Sequence, residues 1–164
     1  MASRATALLL LLLGCGPGAG SGVDALLQVE GAAYAAGNLA AFADAGGPAV
    51  TNTYARTSWV TPGHGGKILN GSLGPGATAV LIAVDGDRGY WILPGSAPDI
   101  QTPEQPTFAA ILGFSASLAG PEMRLRLVAV DVDGRMGPAS VLTFSVLPAA
   151  PPAGVLVVAL GWDS

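Results

Sequence analysis

Apolar residues along this chain fall into short runs closed by Gly, Pro or Asp, and the longest uninterrupted one, Ala7–Leu13, lies at the N-terminus. From Ala25 onward the runs have the length and period of strands. Ala25–Glu30 (ALLQVE) predicts a first strand, and Tyr34–Gly47 reads as irregular, with room for an edge strand. Ala49–Trp59, rich in Thr, Val and aromatics, predicts another strand, and Thr61–Gly66 (TPGHGG) a loop. Ala77–Asp85 is β-branched and aliphatic on both faces, as a central sandwich strand should be. Asp85–Gly89 turns it into Tyr90–Pro94.

Pro94–Pro106 is too broken by proline for a helix. Thr107–Ser117 then leads to a turn at Gly120–Glu122. The clearest alternation follows, with Met123, Leu125 and Leu127 on one face and Arg124, Arg126 and Val128 on the other. Period two marks a half-buried strand, because successive side chains point to opposite faces. Asp133-Gly134 tolerates the positive φ of a tight turn, and Ser140–Pro148 is the returning strand. About seven or eight strands at roughly ten-residue spacing, with no convincing long helix, predict an all-β antiparallel sandwich.

The stretch MRLRLVAVDVDGRMGPAS (Met123–Ser140) resembles the penultimate strand and last hairpin of bacterial immunoglobulin-like domains. The resemblance implies an Ig-like β-sandwich, placed at residues 24–147. Cys15 is the chain's one cysteine, so the inter-sheet disulfide of antibody domains is absent, and so is any multi-cysteine zinc site.

The N-terminus reads as an address. Met1–Arg4 carries one positive charge, Ala5–Leu13 is too short for the ~20 residues of a membrane span, and small residues follow. Leu12-Leu13-Gly14-Cys15 resembles the bacterial lipoprotein motif, although Leu13 stands where Ala or Ser is more usual. On this reading residues 1–14 are a leader, Cys15 carries the lipid, and residues 15–23 form a flexible tether. Ordinary secretion is the alternative, with cleavage in the Gly/Ala/Ser-rich segment and Cys15 discarded. Either way the domain works outside the cytoplasm. At the other end, residues 148–154 read as a Pro/Ala linker. Residues 155–164 read as an added edge strand or the start of a truncated second β domain.

Composition narrows the partners. The chain is 51% hydrophobic but only 11% charged, well under the usual share of about 25%. A net charge of −4 becomes −5 without Arg4, six cations then facing eleven carboxylates. Nucleic acid would be repelled, and it is not an expected partner. The expected partners are membrane lipid through acylated Cys15 and an unidentified protein or glycan.

Candidate chemistry is sparse. The one histidine, His64, lies among glycines. Asn70–Gly74 (NGSLG) and Gly113–Ser117 (GFSAS) both miss the spacing of a nucleophile elbow. GHGGKI lacks the first Gly and the Ser/Thr of a phosphate loop. Asp85, Asp87, Asp131 and Asp133 are candidate calcium ligands, but hairpin turns explain them equally well. Asn70–Ser72 fits an N-glycosylation sequon. Trp59, Tyr90 and Trp91 are candidate ligand-binding residues for a sugar platform, or else the large core fillers of a small sandwich.

No enzyme activity and no cofactor are expected. The sequence points to an envelope-anchored or surface-displayed lipoprotein acting as a structural, adhesion or binding module. The alternative is a carbohydrate-binding accessory module of a larger secreted protein truncated after Ser164. Metabolic labelling with a fatty-acid analogue should tag the wild-type chain and leave Cys15→Ser unlabelled; label surviving that substitution refutes the anchor.

Overall fold

The computed structural model describes residues 25–39, 44–98 and 103–148, and among these the chain is all-β. Cys15, the leader and tether, the linker beyond Pro148 and residues 155–164 lie outside the described residues. One sheet has four strands: β1 (Leu27–Val29), β3 (Val50–Ala55), β5 (Lys67–Leu73) and β8 (Thr107–Phe114), in the order β1-β8-β5-β3. The other has six: β2 (Ala33–Ala36), β4 (Trp59–Val60), β6 (Ala77–Val84), β7 (Gly89–Pro94), β9 (Glu122–Asp131) and β10 (Ser140–Val146). Their order is β2-β7-β6-β9-β10-β4.

Alternation builds the core between the sheets. Leu69 and Leu73 of β5 and Phe108, Ala110, Leu112 and Phe114 of β8 meet Val80 and Ile82 of β6 and Met123, Leu125 and Leu127 of β9 in one buried cluster. Each such large apolar side chain contributes about 1.5–3 kcal/mol by leaving water. The predicted faces of β9 are as observed, with Met123, Leu125 and Leu127 inside.

The strand count exceeds the expected seven or eight for two reasons. The run Ala49–Trp59 is two strands: β3 pairs with β5 in one sheet, and after residues 56–58 the chain joins the other sheet as β4, parallel to β10. Second, β5 lies in a stretch, Lys67–Leu73, where no strand is predicted. In the fold Gly71 stands opposite Phe108, and a Cβ there would strike the Phe108 ring. The glycine makes room for a core aromatic, the arrangement in which a cross-strand ring covers a strand glycine.

Two side chains close the seams between the sheets. Trp91 of β7 donates its indole N–H to the Leu27 carbonyl of β1 at 2.8 Å, and Tyr34 packs edge-on against the indole, centroids 5.2 Å apart. At the opposite seam the Lys67 ammonium donates to the Thr57 carbonyl and Oγ1, both at 2.6 Å, and to the Trp59 carbonyl at 3.0 Å. It also lies 4.8 Å from the centroid of the Phe144 ring, within cation–π range. Burial pushes the Lys67 pKa down.

The outer face of the six-stranded sheet is apolar too. Leu81 and Ala83 of β6 and Val128 and Val130 of β9 form a second cluster with Tyr90, covered by Leu39. Hence β6 reads as aliphatic on both faces, and β9 stops alternating after Arg126. Where the described chain resumes after Leu39, the N–H groups of Ala45 and Gly47 donate to the Met136 carbonyl and clasp it to this sheet.

That clasp sits on the β9–β10 connection, which Asp131 organises. Asp131 is 5% exposed; its Oδ1 accepts the N–H groups of Asp133 and Arg135, and its Oδ2 accepts Arg135 Nε at 2.7 Å. Burial pushes this carboxyl up, but the backbone N–H and guanidinium of Arg135 and the N–H of Asp133 outweigh it and hold the pKa below the ordinary value. A depressed carboxylate pKa stabilises the fold above the unfolded-state value of about 3.9, and this contribution disappears as pH falls through the folded-state value. Asp131→Ala should therefore cost about 2–3 kcal/mol at pH 7, with the gap to wild type closing below about pH 4. Denaturant titrations of both proteins at pH 7 and in acid measure this, and a pH-independent gap would refute the assignment.

Candidate functional site

The two sheets differ in what they leave open. The outer face of the four-stranded sheet carries outward side chains in cross-strand rows. One row is Tyr54, Asn70 and Ala109; the next is Asn52, Ser72 and Thr107. With Ser96, which bridges to Thr107, they surround a shallow concavity of about 440 Å³. Tyr54 is 63% exposed, the most open of the large hydrophobic side chains among the described residues. A third row, Ile68 opposite Ile111, continues the face as an exposed apolar pair.

Strand geometry positions these groups rigidly. The side chains of Asn52, Asn70, Ser72 and Ser96 make no hydrogen bond among the described residues, whereas Thr107 Oγ1 is committed to the Ala97 carbonyl at 3.1 Å. Two free amides each offer donors and an acceptor, two hydroxyls can do either, and a phenol ring offers an apolar face with a polar tip. Among the described residues the lining has no carboxylate, amine, guanidinium or imidazole. Chemically, this face can stack a flat apolar ring surface and hydrogen-bond a neutral polar ligand.

The residues singled out from the sequence are dispersed. Tyr90 is buried under Leu39, Trp91 is a seam residue bound to Leu27, and Trp59 stands 37% exposed on the opposite edge of that sheet. The three aromatics therefore share no face.

The acidic pairs occupy opposite ends of β6 and β9, since Asp85 follows Val84, which pairs with Leu125, while Asp131 pairs with Ala77. Asp85 accepts Arg126 at 2.9 Å, Asp87 accepts the Arg88 N–H, and Asp133 lies 3.8 Å from Arg135. Among the described residues no three His, Cys, Asp or Glu side chains are grouped to hold a metal ion. His64 is exposed in the loop before β5. It lines a second concavity of about 350 Å³ with Arg56, Trp59, Lys67 and Phe114.

No family model, curated protein or solved structure matches this chain. Sequence reasoning missed the Tyr54 face because its residues come from β3, β5 and β8, and β5 carries the turn-like Asn70-Gly71-Ser72. The available signal was the outward alternation of Asn52 with Tyr54 and of Ile68, Asn70 and Ser72.

Proposed function

We propose that this protein is a non-enzymatic, extracytoplasmic binding or adhesion module with an Ig-like fold, held at the bacterial envelope by a lipid on Cys15. The observation that carries the binding role is the set of uncommitted amides and hydroxyls around Tyr54 on a rigid sheet face. Free polar groups on a fixed scaffold need little reordering to meet a ligand.

Strand order supports the Ig-like reading. β3-β5-β8 corresponds to the A-B-E series of an Ig sandwich, and β10-β9-β6-β7 to G-F-C-C′, while β4 runs parallel to β10 after the chain changes sheets. The N-terminal strands β1 and β2 then occupy the two far edges, beside β8 and β7. Position along the strands supports display. Ser115 donates to the Leu26 carbonyl, so the described chain enters at the Phe114 end of β8, whereas Thr107 and Ser96 line the site at the other end.

A second reading has the same face belonging to a carbohydrate-binding accessory module of a larger secreted protein. The uncharged lining and exposed ring favour it, since a neutral sugar stacks on an aromatic and bonds to amides. Glycan arrays probed with the wild-type chain should show binding that Tyr54→Ala weakens about 10- to 30-fold and Asn70→Ala also weakens. Binding to intact envelopes that Tyr54→Ala reduces, with silent glycan arrays, favours a protein ligand instead. Binding to either target that Tyr54→Ala leaves unchanged overturns the site.

A further inference from the structure

We propose that the end of the sandwich where the chain enters and leaves is a membrane-docking surface for anionic lipid headgroups; this rests on the lipid anchor at Cys15. Both ends of the described chain lie at this pole. Ser115 holds Leu26 at the entry, and the exit at Val146 donates to the Pro121 carbonyl within the same β8–β9 connection. Nine residues lie between Cys15 and Ala25, ten steps that reach at most about 35 Å when fully extended. An anchored chain therefore keeps this pole near the bilayer.

Charge is segregated along the strand axis, although the protein as a whole is acidic. At the entry pole lie Arg56 after β3, Lys67 at the start of β5, Arg88 before β7, and Arg124 and Arg126 near the start of β9. The carboxylates there are Asp85, Asp87, Glu122 and Glu30, the last level with Arg56 along the Ile68–Ile111 row, so among the described residues five cations face four carboxylates, a net +1. The opposite pole has Arg135 against Asp44, Glu104, Asp131 and Asp133, one cation facing four carboxylates, a net −3. Among the described residues charge is therefore polarised along the strands, with its positive end at the entry pole, the end that the proposed anchor would hold toward the bilayer.

The same pole carries the second concavity. Arg56, Lys67 and His64 line it, no carboxylate among the described residues does, and the exposed Trp59 lines it too. Basic residues beside an exposed Trp are the combination that settles at a headgroup layer, cations attracted to anionic lipid and indole at the interface. Lys67 is spent on the strand switch, so Arg56, Arg88 and Arg124, all exposed, supply the attraction. Docked this way, the Thr107–Ser96 end of the Tyr54 face points away from the membrane.

The test uses the chain from residue 15 to Ser164 with Cys15→Ser, so that no acyl chain contributes, co-sedimented with phosphatidylglycerol or phosphatidylcholine vesicles. Binding to phosphatidylglycerol at low salt is expected, with none to phosphatidylcholine and none in ~1 M salt, where charges are screened within about 3 Å. Arg56→Gln, Arg88→Gln and Arg124→Gln together should weaken binding about tenfold or more. A control makes the same change in net charge at the other pole through Ala97→Glu, Gln105→Glu and Ala139→Glu, and should bind within about twofold of the parent. Circular dichroism and thermal melts confirm that each variant is folded. Absence of binding to phosphatidylglycerol, or equal weakening by the two triple variants, overturns the docking surface. Loss of the Cys15 acyl label in cells would instead strike the anchor alone.

Discussion

The ammonium of Lys67 holds the place where the chain leaves one sheet and joins the other. Three oxygens from Thr57 and Trp59 converge on it, and the Phe144 ring flanks it. The amine satisfies carbonyls left without ladder partners while the strand crosses between sheets. Because the switch occurs there, Tyr54 belongs to the outer face of one sheet and Trp59 to the edge of the other. The separation of the polar-aromatic face from the cationic end follows from that one crossing.

A second constraint is the two-sided apolarity of β6 and β9. Leu81, Ala83, Val128 and Val130 face away from the main core, and exposed together they would form an apolar patch open to association. The segment carrying Leu39 covers them, and its clasp at Met136 depends on a turn shaped by the Asp131 carboxylate. Close approach is needed there: a Cβ on Gly137 would collide with the Pro48 carbonyl, and one on Gly47 with Arg135. With that face covered, the outer face of the four-stranded sheet is left as the open one.

Function follows from this asymmetry. A covered sheet gives rigidity, an open sheet presents free amides and a phenol, and the charge dipole distinguishes the two ends of the strands. On the proposed anchoring, a tethered domain would otherwise sample all orientations, and a positive pole beside the attachment point would narrow them. The ligand face and the docking surface draw on different residues, so the chemistry of one does not constrain the other.

Much of the fold was legible in the sequence because period two survives in β8, β9 and β10 and turn residues punctuate the chain. The Asp133-Gly134 turn formed as expected, Gly134 adopting φ 79°. The Tyr34 region supplied the expected edge strand in β2. β5 was illegible because the room needed by Phe108 put a glycine inside a strand, and Asn70-Gly71-Ser72 breaks the apolar alternation that marks the predicted strands. The Ala49–Trp59 run concealed a change of sheet, since a strand in either sheet has the same local pattern. Alternation and turn chemistry are local, so the sequence by itself determined the all-β class, the strand faces and most of the hairpins. Which aromatics ended buried, which polar groups stayed free and how charge divided between the poles depend on which strands become neighbours, and only the tertiary structure decided those.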